Sequence, residues 1–148
     1  MSLKEKLADD LKSAMKDKNV IRKNVVQMVR AGILQIEKDN KVTLDDEGVL
    51  DVIAKQLKQR RDSLPDYEKS GREDLIAELK AEMDVLMEYL PKQLTRDELE
   101  EIVGQAVEST GASSMKDMGK IMAEVMPKVK GRADGKMINE IAKAMLNK

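Results

Sequence analysis

Lys128, Lys130, Arg132 and Lys136 fall within nine residues, interleaved with Pro127, Gly131 and Gly135, and Asp134 stands where an N-cap would open a final helix. Glycine lets backbone lie close to a ligand, a helix start offers unpaired N–H groups and a partial positive charge, and Lys and Arg add full charges. That combination suits phosphate. The glycine spacing matches neither a phosphate-binding P-loop nor a dinucleotide fingerprint. The same residues also describe a solvated turn, with a glycine stop after Lys130 and an aspartate cap beyond it. Composition and spacing leave polyanion binding and the plain turn both open.

Other chemistry is narrowly bounded. With no Cys and no His, disulfides, Cys/His zinc sites, thiol nucleophiles and imidazole bases are excluded. Ser113 and Ser114 lie near Lys116 and Lys120, the raw material of a Ser–Lys nucleophile. A serine ahead of a helix is more simply a cap, and a lysine in a first turn a surface residue. The acidic runs Asp45-Asp46-Glu47 and Glu98-Glu100-Glu101 sit at expected helix starts, where carboxylates stabilise unpaired N–H groups without any metal. No catalytic residue, metal ligand or cofactor site is expected.

These residues must be positioned by helices. The 148 residues include two Tyr, no Phe and no Trp, while Met appears 11 times and Pro three times. An aliphatic and methionine core with so few aromatics predicts an all-α protein. The charge is uneven: 14 basic and 10 acidic side chains in residues 1–61, 5 and 14 in 62–110, and 8 and 4 in 111–148. A chain basic at both ends favours an anionic partner, although ordinary surface charge drifts this far too. No apolar run approaches the roughly 20 residues of a membrane span, and the N-terminus has no signal-peptide core, so a cytoplasmic protein is expected.

Helix starts are legible. Ser2 to Glu5 is a capping box leading into Leu3, Leu7, Leu11 and Met15. Asn19 caps a second helix with Ile21, Val25, Met28, Val29, Ile33 and Ile36 inward. Thr43 to Asp46 reads as a third cap before Leu50, Ile53 and Leu57, and Pro65 should stop or kink that helix near Leu64. Lys55, Lys58, Arg60 and Arg61 on it, with Lys12, Lys16, Lys18, Arg22 and Lys23 earlier, are basic positions that either share a face or are simply wet helix sides. Ser70 to Glu73 reads as the next capping box, opening a helix that Pro91 ends. The expected division is a helical bundle over 1–91 and a small three-helix tail over 92–148. Thr95 to Glu98 opens the tail, Gly111 stops its first helix, and Ser114 begins the next, with Met118, Ile121, Met122, Val125 and Met126 inside. That helix is expected to continue, kinked, past Pro127 to Lys130. The last runs from Gly135 to about Leu146, with Met137, Ile138, Ile141 and Met145 inward.

Asp117-Met118-Gly119-Lys120, the run from Met126 to Lys136, and Ile138-Asn139 closely resemble the tail domain of the GatB/YqeY family. Lys58-Gln59-Arg60-Arg61-Asp62-Ser63, Gly71-Arg72-Glu73-Asp74-Leu75 and Tyr89-Leu90-Pro91 extend the resemblance over nearly the whole chain. It implies a stand-alone YqeY-type protein without the large cradle domain that precedes this tail in the B subunit of the tRNA-dependent amidotransferase. In that subunit the tail engages the tRNA body. The family is commonly grouped under carbon–nitrogen ligase activity with glutamine as amide donor, a label that here looks inherited from the larger protein. The resemblance thus implies a non-catalytic tRNA-binding helper, with Lys128, Lys130, Arg132 and Lys136 supplying charge and Gly131 and Gly135 close approach. A rival expectation is a helical interaction module that docks on an amidotransferase or aminoacyl-tRNA synthetase through an apolar patch near Met115, Met118 and Met122.

Overall fold

The computed structural model describes residues 1–147: seven α-helices and one 3-10 turn, with no strand among the described residues. The all-α expectation holds. The chain divides into two compact units, Met1–Leu90 and Pro91 onward.

The first unit contains α1 (Leu3–Lys16), α2 (Val20–Asn40), α3 (Asp46–Ser70) and α4 (Glu73–Tyr89), with α1 packed along α2 and α3 along α4. Its helices begin where side chains take up orphan N–H groups. Glu5 N–H donates to Ser2 Oγ, Ser2 N–H donates back to Glu5 Oε2, and Asn19 Oδ1 accepts from Arg22 N–H at 3.1 Å. The core gathers Leu7, Val25, Val29, Ile53, Leu57 and Leu86, all fully buried. Each such side chain contributes about 1.5–3 kcal/mol relative to exposure. α2 and α3 approach closely at Gly32, where a Cβ would lie 3.1–3.2 Å from the Gln56 and Val52 side chains.

Polar ties close the ends of this unit. Glu37 accepts from Lys4 Nζ and, at 2.7 Å, from Leu44 N–H. Those bonds, the lysine's foremost, hold its carboxyl below the usual range. Burial pushes Asp10 up, but hydrogen bonds from Tyr89 and Lys6 outweigh it and leave that carboxyl lowered. A depressed carboxylate stabilises the fold above its unfolded pKa and loses that contribution as pH falls through the folded one. The first unit is therefore expected to weaken below about pH 4. Urea midpoints compared at pH 7 and pH 3 test this, with Glu37→Gln giving a shallower pH dependence; equal slopes in both proteins would refute it.

The second unit contains α5 (Arg96–Thr110), the 3-10 turn Met115–Asp117, α6 (Met118–Val129) and α7 (Gly135–Leu146). Thr95 and Glu98 form the capping box, and Gly111 ends α5 in the left-handed region at φ +70°. The three helices pack on one another around a separate core that includes Leu99, Val103, Ile121, Val125, Val129 and Ile138.

Four local expectations are corrected. Of the stop or kink expected at Pro65, the stop does not occur, since α3 runs on to Ser70. A proline's φ is already helical, so a helix anchored upstream loses one bond and continues. The cap of α3 is Asp45, whose Oδ1 accepts from Gly48 N–H at 2.9 Å, rather than Thr43. The bond from Leu44 N–H to Glu37 ties that residue to the end of α2, and the helix starts only after it. Ser70 is the last residue of α3, and α4 opens at Arg72 without a side-chain cap, because Gly71 at φ +69° ends the preceding helix there. Ser114 leads into the 3-10 turn, and α6 proper starts at Met118.

The methionine stripes are corrected too: Met15 (57% exposed), Met28 (51%), Met126 (41%) and Met137 (38%) face outward. Val26, Val49 and Val52 are buried although the expected stripes omitted them. A 3.6-residue period fixes a helix's apolar arc but not which part of the arc meets a neighbour.

Candidate nucleic-acid interface

The connector between α6 and α7 is built from its two helix ends. α6 passes through Pro127 and finishes at Val129, with Lys130 as its C-cap. Gly131 turns the chain at φ +74°, and Arg132 N–H donates back to Val129 O at 2.8 Å. Asp134 then caps α7, its Oδ1 accepting from Lys136 N–H at 3.1 Å. The turn is stitched to the strap that enters this unit. Leu94 N–H donates to Arg132 O at 2.8 Å, Gln93 Nε2 to Gly131 O at 2.8 Å, and Arg132 Nε to Lys92 O at 3.3 Å.

Gly131 is required here by conformation and not by space. A Cβ at this position would be 3.9 Å from Pro91 Cδ, an ordinary contact, while a side chain at φ +74° is strained. Gly131→Ala is expected to cost about 1–2 kcal/mol. The urea midpoint of the second unit measures this, and an unchanged midpoint would refute it. At Gly135 a Cβ would meet nothing within 4 Å, so that position is open.

Lys128, Lys130 and Lys136 are exposed, and Arg132 is half-buried with its Nε on the strap. Lys130 and Arg132 sit on the connector, with Lys128 in the last turn of α6 and Lys136 in the first turn of α7, and this segment is held by five backbone or side-chain bonds. Asp134 modifies the expected helix start: its carboxylate already occupies one of the N–H groups that an anion would use. Exposed Lys92 joins this neighbourhood through its carbonyl, 40 positions before Arg132. Nothing local in the sequence signals that, since only the tertiary stitch brings the strap to the turn.

Three of the basic residues of the first unit are engaged by neighbouring side chains. Arg60 is 8% exposed, donating to Gln56 O and Met28 Sδ and paired with Glu82. Arg22 is paired with Glu88 at 2.6 Å and Lys58 with Asp62 at 3.3 Å. Lys12, Lys16 and Lys18 are exposed. Ser113 and Lys120 are organised around Asp117, which accepts from Ser113 backbone N–H at 3.0 Å and lies 3.9 Å from Lys120 Nζ. That backbone bond holds the Asp117 carboxyl below its ordinary range. Of the methionines in the rival docking patch, Met115 is exposed, whereas Met118 and Met122 are half-buried against the core of this unit. Among the described residues, no cluster of three or more metal-ligating side chains occurs, and no helix is long and apolar enough to cross a membrane.

The fold and this site define a class: an all-helical protein of two units, the second a three-helix element with a basic, stitched connector. The chain belongs to the YqeY-like protein family, whose model matches residues 4–146. It is 32% identical over 130 residues to "Altered inheritance of mitochondria protein 41, mitochondrial" of Pyrenophora tritici-repentis, covering 86% of this chain and 71% of that protein. Proteins of the same name from Vanderwaltozyma polyspora (32% over 120 residues) and Kluyveromyces lactis (40% over 84 residues) are also similar. Those matches cover 76% and 56% of this chain, but only 64% and 45% of the relatives' length.

Proposed function

We propose that this protein binds structured RNA, with tRNA the foremost candidate, through the connector between α6 and α7, and that it does so as a helper to tRNA-dependent amidation without performing the chemistry. One observation carries this reading. Four basic residues lie on and directly beside a turn in which the Gly131 and Arg132 carbonyls accept from Gln93 and Leu94 and the Arg132 side chain donates to Lys92 O, so the charges are presented around a fixed base. A fixed cationic turn with room at Gly135 suits phosphate oxygens. Phosphate contacts position a protein without reading sequence, so choice among RNAs would come from shape. The exposed aromatic surface is confined to Tyr67 among large apolar side chains, which disfavours a base-stacking platform for single strands. The likeness to the tail of the amidotransferase B subunit supports the choice of tRNA, and a cytoplasmic location is part of the same proposal.

The test is titration of labelled tRNA with the purified protein from low to physiological salt, against a DNA duplex competitor. Tight, tRNA-preferring binding with a steep salt slope is the expected result. No binding at low salt would overturn the reading. A second reading, docking on an amidotransferase or synthetase, is favoured by the exposure of Met115, Met126 and Met137 on this unit. It would show as partner binding that salt leaves unchanged.

A further inference from the structure

A cleft of about 130 Å³ runs along the seam between α1 and α2, lined by Lys4, Leu7, Arg30, Ile33, Leu34 and Glu37. Arg30, Ile33, Leu34 and Glu37 share one face of α2, which sets the two charged positions about 10 Å apart along the helix with the apolar ones between them. Leu7 and Ile33, almost fully buried, close the floor, and Leu34 stands as an exposed wall. At one end Glu37 is already satisfied, accepting from Lys4 Nζ and from Leu44 N–H. The other end is different. Arg22 and Arg60 of the same unit are paired with Glu88 and Glu82, whereas Arg30 is exposed and, among the described residues, makes no hydrogen bond or ion pair.

The chemistry of the cleft narrows its ligand. Two cations against one carboxylate leave it positively charged, so a cationic ligand is repelled. A purely apolar ligand would leave the guanidinium unused, and a compact inorganic anion would leave the apolar floor uncovered. A carboxylate matches the planar fork of Arg30, and a hydrocarbon tail matches the floor beyond it. We propose that this cleft binds a straight-chain monocarboxylate of about eight carbons, whose extended length matches the roughly 10 Å from Arg30 to Glu37. Its carboxylate pairs with Arg30, its chain lies over Leu7 and Ile33 against Leu34, and its end meets the methylene stem of Lys4. The site lies wholly within the first unit and stands apart from the RNA reading.

The experiment is an amide NMR titration of the isotope-labelled full chain with sodium octanoate at pH 7 and constant ionic strength. Saturable shifts confined to α1 and α2 around Leu7 and Leu34 are expected, with a Kd of about 0.1–1 mM for so small a ligand. Butyrate keeps the charge but loses half the chain, and should bind at least about tenfold more weakly. Octylamine keeps the chain with the opposite charge, and should bind more weakly by about the same factor. Arg30→Gln should weaken octanoate about tenfold, and Leu34→Ser about threefold. Both positions are exposed, so both variants are expected to fold. Absence of saturable shifts up to about 10 mM octanoate would overturn the proposal. Octylamine binding as well as octanoate, or a folded Arg30→Gln variant with the parent's affinity, would overturn it equally.

Discussion

Replacing Lys128, Lys130, Arg132 and Lys136 together by alanine is expected to weaken tRNA binding and to flatten its salt dependence by about 2.8–3.6 log–log units, the sum for four lost phosphate contacts. The effect is large because each contact releases condensed counterions, so the slope counts contacts directly. Arg132 needs separate treatment. Its Nε donates to Lys92 O, and truncation there removes part of the stitch as well as a charge. The triple variant that retains Arg132 should lose about 2.1–2.7 units with the turn intact. Both variants must keep the helical circular dichroism of the parent protein. A folded quadruple variant with the parent's affinity and slope would remove the connector from the proposed function.

Ile138→Ala is expected to destabilise the second unit by about 2–5 kcal/mol, enough to unfold much of it at physiological temperature. Ile138 is fully buried, and its core partners come from all three helices, Leu99 and Val103 on α5, Ile121, Val125 and Val129 on α6, and Ile141 on α7. A unit this small buries too little surface to tolerate such a cavity. The buried clusters of the two units share no residue, so amide exchange should accelerate across α5 to α7 while the core of the first unit keeps its protection. RNA binding should fall in parallel, because the connector is anchored by the ends of α6 and α7. Uniform loss of protection in both units would refute the separation, and unchanged exchange would refute the role of the cavity.

Much was determined by the sequence alone. Ser2 with Glu5, Asn19, Thr95 with Glu98, Gly111 and Asp134 are local devices whose chemistry involves residues within four positions, and the structure uses each as its pattern requires. The all-α class, the passage of α6 through Pro127 and the extent of α7 follow from the same short-range rules. The basic composition of the connector was equally plain. What only the tertiary structure decided involves partners far apart in the chain. Arg60 belongs to a basic run by sequence but is buried beside Met28 and Glu82, residues on α2 and α4. Lys92 reaches the connector only through the bond to Arg132. The stop that Pro65 could have imposed does not occur, because a proline's local cost says nothing of how firmly the preceding turns are packed, and α3 is anchored upstream by Val49, Val52, Ile53 and Leu57. Met15 and Met28 carry the right period but lie outside the contact arc. Periodicity and capping are properties of one helix, whereas burial and pairing are properties of two, and the second helix is not written beside the first.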